Sequence, residues 1–220
     1  MKEKYKVTGQ LFLLSNLPFC CFILKDISLV YARLLFVLFL FFTLYFSYQI
    51  SIKHNVINRI QKLEWNKVIY CLAFAALIRL TVHLYVSIFG DTQNDALLQI
   101  LKDIMGVELF NFYAIFVGPV LEELTFRGAI MNYCYNMSRK GFIISNILFG
   151  FVHCMNEPSI GIFIRSILLY SLLGGIISYI YYRTKRIEYS VLIHMLANFL
   201  ALIGFKYEYF IWLINVHVTR

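Results

Sequence analysis

The sequence predicts an all-α fold, a polytopic bundle of about eight membrane-spanning helices, with seven as the alternative count. Of the 220 residues, 60% are hydrophobic and 15% are charged, whereas soluble globular domains carry about 25% charged residues. The apolar residues recur in runs close to the ~20 residues that a helix needs to cross a bilayer. We therefore expect a single membrane-embedded domain over 1–220.

The apolar runs are separated by short polar segments and define the predicted spans. Two of them predict a crossing less well than the others. The run at 7–24 contains polar residues and Pro18, which also suit an interfacial segment, and the run at 207–218 is short for a crossing. The predicted spans are 7–24, 27–51, 66–89, 105–137, 141–155, 159–182, 187–204 and 207–218.

The longest polar segment between spans is 53–65. On a helix, Val56, Ile60 and Leu63 would share one face. The pattern predicts an amphipathic helix that lies on the membrane surface.

The positive charges favour a topology with both termini in the cytoplasm. With a cytoplasmic N-terminus, thirteen of the 20 Lys and Arg residues fall in inner segments and three in outer segments, as the positive-inside rule requires. The net charge of +8 is divided among short loops, which argues against a nucleic-acid-binding surface. We expect a multi-pass protein of the cell membrane whose surroundings are lipid.

The fourth predicted span contains ionisable residues, in GPVLEELTFRGAI. Such groups cost about 2.5–3.5 kcal/mol each on membrane-insertion scales, so their positions are informative. Glu123 and Arg127 have the four-residue spacing of a helical ion pair. Successive helical residues point about 100° apart, so Glu122 is expected to face elsewhere. Gly118-Pro119 is expected to kink or restart the helix beside it.

Two other spans carry polar residues at a similar depth. The fifth contains His153, with Phe149 one turn before it, and the seventh contains His194 and Asn198 on one face. Counted from the cytoplasmic ends, these groups and Glu122 lie very roughly 10–25 Å deep. Any one of them alone is explained by an interhelical hydrogen bond. Their joint occurrence on three helices favours a functional site.

These residue types suit the attack of water on a peptide carbonyl. A carboxylate beside a His can deprotonate water, and a second His with an Asn amide can donate hydrogen bonds to a developing oxyanion. The same Glu122, His153 and His194 would also suit a catalytic zinc ion, which takes three protein ligands and a water. Neither an HExxH zinc motif nor a GxSxG serine motif occurs in the sequence. Metal-free hydrolysis is therefore favoured, and zinc stays an open alternative.

Three segments resemble the motifs of the CPBP family, which includes the type II CAAX prenyl endopeptidases and the bacterial Abi proteins. EELTFRG (122–128), FGFVH (149–153) and HMLAN (194–198) are similar to the family's EExxxR, FxxxH and HxxxN. They occur in the family's order, on separate spans, within a predicted catalytic core at 105–204.

The resemblance implies a glutamate-dependent intramembrane endopeptidase, although the family has also been described as metalloproteases. A Glu–His pair would activate water, and the second His would stabilise the oxyanion with the Asn. The catalytic residues would be Glu122, His153, His194 and Asn198. The supporting residues would be Glu123, Arg127 and Phe149.

The substrate implied by the resemblance is a peptide or a membrane-associated protein, in bacteriocin or peptide processing or in self-immunity. The small size and the composition fit a bacterial member, for which a prenylated CAAX substrate is not expected. No cofactor is expected apart from the zinc alternative. Two other functions stay open: a non-catalytic bacteriocin-immunity or peptide-binding protein of the same fold, and a small transporter that uses the buried carboxylate and histidines as a relay.

Overall fold

The computed structural model describes residues 2–25, 28–58, 60–90 and 92–218. Over these residues the secondary structure is helical and contains no strand, which confirms the all-α fold class. The helices are α1 (Lys2–Asn16), which continues into a 3-10 segment (Leu17–Leu24), α2 (Leu29–Lys53), α3 (Trp65–Phe89), α4 (Gln93–Met105), α5 (Val107–Cys134), α6 (Arg139–Cys154), α7 (Ile160–Thr184) and α8 (Ile187–Val218).

Four helices in the described part of the chain are long and apolar enough to cross a membrane, namely α2, α3, α5 and α7. A shorter apolar stretch, Ile187–Ile203, lies in α8. These helices confirm a polytopic helical membrane bundle. The predicted spans 187–204 and 207–218 are parts of one continuous helix in the structure, because a lone Gly204 and a Lys206 interrupt the apolar pattern without ending a helix.

The segment between α2 and α3 corrects one sequence prediction. The chain turns directly after Lys53, and the described residues 54–58 and 60–64 are not helical, so the amphipathic surface helix predicted over 53–65 is wrong. Val56 is fully buried and packs in a core cluster with Val7 and Leu11 of α1. The side chain of Asn132 in α5 donates to the Val56 carbonyl at 2.9 Å. A turn buries this valine against two helices, whereas a surface helix would leave it facing the membrane.

Helix α4 occupies a stretch that lies between two predicted spans. Its carboxyl end is held by α2, because Nε of Arg33 donates to the Ile104 carbonyl at 2.8 Å. This bond satisfies a carbonyl that the end of a helix leaves without an intrahelical partner. Gly106 follows with a φ of +83°, a conformation that glycine adopts readily, and the chain turns there into α5.

Helix α5 departs twice from α-helical geometry. Its stretches Tyr113–Val117 and Leu124–Cys134 are π-helical, and Gly118–Glu123 between them is α-helical. Pro119 has no N–H to donate, and the π-helical turn that precedes it lets the helix continue through Pro119. The restart expected at Gly118-Pro119 is thus a change of helix type. Such π-helical turns occur often at functional sites.

Helices α6 and α7 approach each other closely at Gly150. A Cβ atom on Gly150 would lie 2.4 Å from Ser171 Oγ and 2.8 Å from the Ile167 carbonyl oxygen, so this contact requires glycine. Ser145, also on α6, donates its hydroxyl to the Phe126 carbonyl of α5 at 2.7 Å. These contacts set the position of α6, whose carboxyl end carries His153.

Candidate active site

Glu123 and Arg127 form a buried ion pair within α5. Arg127 Nη1 donates to Glu123 Oε1 at 2.9 Å, and both side chains are 0% exposed, which confirms the pair expected from their spacing. Two more hydrogen bonds join the guanidinium to α7: Nη2 donates to the Gly174 carbonyl at 2.8 Å and Nε donates to Ser178 Oγ at 3.0 Å. Because each donor of a buried charge is costly to leave unpaired, these partners hold Arg127 between the two helices.

The network extends to α6 through residues that the family motifs do not contain. Ser178 Oγ donates to Asn146 Oδ1 at 2.7 Å. A Cβ atom on Gly174 would lie 3.3 Å from both Arg127 Nη2 and Asn146 Oδ1, so glycine allows α7 to approach this closely. A sequence signal for Asn146 exists, because it lies seven residues before His153 and therefore on the same helical face.

The Phe149 ring packs against Arg127 of the ion pair and lies beside both histidines. The Arg127 Cζ atom lies 4.7 Å from the centroid of the Phe149 ring, a cation–π distance. The same ring lies 4.3 Å from the His153 ring and 6.1 Å from the His194 ring, between centroids. Phe149, the aromatic residue of the second motif, thus packs against Arg127 and lies beside the two histidines that are catalytic candidates.

His153 and His194 converge on one oxygen of Glu122. The Nε2 atom of each ring lies 3.8 Å from Glu122 Oε2. This oxygen is buried and has no hydrogen-bond partner within the described residues. A separation of 3.8 Å is too long for a direct hydrogen bond and is suited to one bridging water. The Glu122 side chain as a whole is 31% exposed, so other parts of it are accessible although Oε2 is buried.

The other nitrogen of each histidine defines its tautomer. His153 Nδ1 lies 2.8 Å from the Phe149 carbonyl oxygen, and His194 Nδ1 lies 3.0 Å from Glu123 Oε1. A carbonyl and an ionised carboxylate can only accept a hydrogen bond, so each Nδ1 carries a hydrogen. In a neutral ring, Nε2 is then an acceptor on the side of Glu122.

The two adjacent glutamates point in different directions and still contact one residue. Glu122 lies beside Nε2 of His194, and Glu123 lies beside Nδ1 of the same ring. The two carboxylates point to different sides, as their spacing on α5 predicts, and the imidazole of His194 on α8 lies between them. The helical period predicts the directions of side chains on α5. It does not predict where a ring on another helix lies.

Asn198 lies one turn after His194 and is bonded to the backbone of α5. Its Nδ2 donates to the Ala114 carbonyl at 2.7 Å. Ala114 belongs to the π-helical stretch Tyr113–Val117, in which the hydrogen-bonding pattern differs from that of an α-helix. The amide of Asn198 thus joins α8 to α5. The side-chain NH2 group has two hydrogens, and this bond uses one of them.

Tyr170 of α7 is a neighbour of the site that none of the three sequence motifs contains. Its ring stacks on His153, with centroids 4.9 Å apart and an interplanar angle of 21°. The Tyr170 hydroxyl lies 3.0 Å from Thr92 Oγ1, just before α4. His153 is therefore enclosed by two aromatic rings, that of Tyr170 and that of Phe149.

The zinc alternative concerns Glu122, His153 and His194. Their donor atoms are of the types that zinc prefers, and the hydrogen bonds at both Nδ1 atoms resemble those that orient metal-bound histidines. Over the described ranges, however, no group of three or more His, Cys, Asp or Glu residues has the arrangement of a metal site. The positions of these donors therefore do not by themselves indicate a metal centre.

The stretch of the chain that carries the motifs matches a known family. Residues 104–200 match the family described as type II CAAX prenyl endopeptidase Rce1-like. This stretch belongs to the CPBP family of intramembrane proteases. The family recognised from the sequence is thereby confirmed for this stretch.

Two curated proteins are similar to part of this chain. One is "Putative membrane peptidase YdiL" of Bacillus subtilis (strain 168), 34% identical over 101 residues, which are 45% of this chain and 38% of that protein. The other is "Membrane-embedded CAAX protease MroQ" of Staphylococcus aureus (strain USA300), 30% identical over 100 residues, 42% of this chain and 37% of that protein. The chain thus spans less than two fifths of the length of these relatives. No solved structure matches it.

Proposed function

We propose that this chain is an intramembrane endopeptidase that hydrolyses a peptide bond with water activated by Glu122 and His153. The observation that carries the proposal is the position of Glu122 Oε2, buried and 3.8 Å from Nε2 of both histidines. Two acceptors at this separation can each take one hydrogen of the same water molecule. The family to which residues 104–200 belong supports hydrolysis over other uses of such a cluster.

The nucleophile in this proposal is a water that donates one hydrogen to Glu122 and the other to Nε2 of His153. Its oxygen lone pair then attacks the carbonyl carbon of the peptide, and the C=O π electrons move to the carbonyl oxygen. One proton passes from the water to Glu122 as the new C–O bond forms. The same proton passes to the leaving amine when the C–N bond breaks, which returns Glu122 to its ionised form.

His194 is the proposed donor to the oxyanion. Donation from Nε2 requires a hydrogen on both ring nitrogens, because Nδ1 already donates to Glu123. The protonated ring keeps its Nδ1 hydrogen bond to Glu123 at 3.0 Å and gains a hydrogen on Nε2. That hydrogen can be donated to the oxyanion, with the second N–H of Asn198 as a further donor.

The proposed substrate is a peptide or a membrane-associated protein, in bacteriocin or peptide processing or in self-immunity. The resemblance to the Abi branch supports this assignment. In the proposed setting the protein lies in the cell membrane with both termini in the cytoplasm, as the distribution of Lys and Arg favours. No metal takes part in the proposed reaction.

Hydrolysis can be tested with the full chain purified and reconstituted in liposomes. A library of peptides with apolar segments is incubated in water enriched in 18O, and products are identified by mass spectrometry. We expect cleavage with one 18O in each new carboxylate, and a loss of at least a thousandfold for Glu122→Gln. Glu108→Gln is the matched control, because it removes an exposed carboxylate from the same helix.

The result that contradicts the proposal is a Glu122→Gln variant with unchanged cleavage. If no cleavage occurred and Glu122→Gln still protected cells against a bacteriocin as well as the unaltered protein did, the non-catalytic immunity function would replace the peptidase.

A further inference from the structure

A groove between α1 and α2 lies outside the catalytic cluster. Its apolar part has a volume of about 310 Å³, within the range of small-molecule sites. The apolar residues that line it are Leu13 and Leu14 of α1, Leu17 of the 3-10 segment that follows, and Phe42, Phe46 and Ile50 of α2. Leu13 is 70% exposed, so the groove is open along its side, where the hydrocarbon of a bilayer would lie.

The same groove ends in a charged cavity. This second cavity has a volume of about 290 Å³ and shares Gln10 and Ile50 with the apolar part. It is lined by Lys6 of α1, by Lys53 at the end of α2 and by His54. The cavity therefore changes from apolar to basic along the helix axis.

The opposing charge in the cavity is the carboxylate of Glu3. Glu3 Oε1 lies 3.6 Å from His54 Nδ1, and the Glu3 side chain is 74% exposed. The two lysines, Lys6 and Lys53, do not share this contact and are exposed. An anion at the end of the groove would therefore meet two lysine ammonium groups, with the carboxylate directed to the histidine.

The length of the groove matches one leaflet of a bilayer. Phe42 and Lys53 are eleven residues apart on α2, which at 1.5 Å per residue is about 17 Å. Half of a hydrocarbon core of about 30 Å is about 15 Å. Because α2 is long and apolar enough to cross a membrane, Lys53 at its end lies at the level of the lipid headgroups.

We propose that the α1–α2 groove is a binding site for one anionic phospholipid. The phosphate lies between Lys6 and Lys53, and an acyl chain follows the apolar lining toward Phe42. Basic cavities beside membrane helices favour anionic headgroups in this way. A zwitterionic lipid has the same chain and no net negative charge, so the two lysines give the site its preference.

Competition between lipids tests the proposal. The full chain is placed in nanodiscs of phosphatidylcholine with a minor fraction of phosphatidylglycerol, and the lipid retained on the protein is measured by native mass spectrometry. We expect the unaltered protein to retain phosphatidylglycerol. In the double variant Lys6→Gln/Lys53→Gln, the preference for phosphatidylglycerol over phosphatidylcholine should fall by about thirtyfold, because each lysine contributes about fivefold. Glycerol phosphate, which has the anion and no chain, is expected not to compete.

The matched control is Arg183→Gln/Lys185→Gln, which removes two exposed charges at the end of α7. It should keep the preference. An equal loss in this control would overturn the proposal, because a general attraction to basic loops would then account for the binding. Retention of the preference in Lys6→Gln/Lys53→Gln would overturn it as well.

A second measurement does not depend on the folding of any variant. A phosphatidylglycerol with a photoreactive group in its acyl chain is irradiated with the unaltered protein, and modified peptides are identified. We expect modification at Leu13–Leu17 and Phe42–Phe46, with little from the matching phosphatidylcholine probe. Equal modification by both probes, or modification spread over all lipid-facing helices, would show bulk lipid contact and overturn the site.

Discussion

The Nδ1 atom of His194 lies 3.0 Å from Glu123 Oε1, and the same oxygen accepts from Arg127 Nη1 at 2.9 Å. One carboxylate oxygen thus links the guanidinium of α5 to the imidazole of α8. This contact orients the His194 ring so that Nε2 faces Glu122. The ion pair is therefore a positioning element of the site, and its own atoms are fully buried.

Glu123→Gln is expected to damage both stability and activity. The variant removes the carboxylate that is paired with the buried Arg127 charge, and breaking a buried pair in this way costs about 3–5 kcal/mol. It also removes the carboxylate that orients the His194 ring through Nδ1. Thermal unfolding of the purified variant, followed by circular dichroism, together with its peptide cleavage rate, measures the two effects.

The control for this variant is Glu108→Gln, an exposed site on the same helix, which should unfold at the temperature of the unaltered protein. Unchanged thermal stability in Glu123→Gln would contradict the assigned role of the ion pair.

Ser178→Ala is expected to lower stability by about 1–3 kcal/mol. The hydroxyl accepts from Arg127 Nε and donates to Asn146 Oδ1, so its removal leaves two buried polar atoms without this partner. Ser87→Ala is a suitable control, because Ser87 is exposed and bonds only within its own helix, to Leu84. Thermal unfolding should separate the two variants, and equal midpoints would contradict the prediction.

The part of the site that the sequence predicted is the part built from local spacing. Glu123 and Arg127 lie on one helix, so a four-residue separation is enough to predict their contact. Glu122 and the two histidines lie on three separate helices and can meet only if their depths in the membrane are similar. The lengths of the predicted spans were enough to predict these depths. The order of the motifs added the chemistry.

The remaining contacts depend on how the helices pack, which the sequence periodicity does not predict. Tyr170 reaches His153 from another helix, and Ser178 joins Arg127 to Asn146 across three helices. The fold shows the same limit after α2, where burial of Val56 in a turn overrides its amphipathic pattern. In each case a tertiary contact decides the structure, and a single sequence does not state which helices are neighbours.

Removal of metal ions is expected to leave the activity unchanged. The proposed water is activated by Glu122 and His153 alone, so dialysis against 1,10-phenanthroline should not lower the cleavage rate. Metal content of the active protein, measured by inductively coupled plasma mass spectrometry, should be far below one zinc per chain. One zinc per active chain, lost together with activity and restored by added zinc, would establish Glu122, His153 and His194 as metal ligands instead.

Tyr170 is expected to act through its ring more than through its hydroxyl. Tyr170→Phe keeps the stack on His153 and loses the contact with Thr92, so cleavage should fall by less than about tenfold. Tyr170→Ala removes the stack and leaves His153 free to change rotamer, and a displaced catalytic group can cost about a hundredfold. The cleavage rates of the two variants, with circular dichroism as the folding control, decide between ring and hydroxyl. Equal losses would assign the effect to the hydroxyl.

Gly150→Ala tests whether the close contact of α6 with α7 positions His153. The added Cβ would lie 2.4 Å from Ser171 Oγ and 2.8 Å from the Ile167 carbonyl oxygen, and the backbone atom cannot rotate away. The helices must therefore separate, at a cost of about 1–3 kcal/mol for an overpacked contact. Because His153 lies one turn further along α6, the cleavage rate should also fall by up to about a hundredfold.

The same substitution at Gly161 provides the comparison. Gly161→Ala adds a methyl group on α7 with no atom within 4 Å, and alanine favours a helix over glycine by up to about 1 kcal/mol. We expect this variant to be as stable as the unaltered protein or slightly more so, with full activity. Thermal unfolding and cleavage rates of the two variants are measured side by side. They would show whether any Gly→Ala substitution has these effects or only one in the α6–α7 contact. Wild-type behaviour of Gly150→Ala would mean that the α6–α7 contact can yield without moving His153.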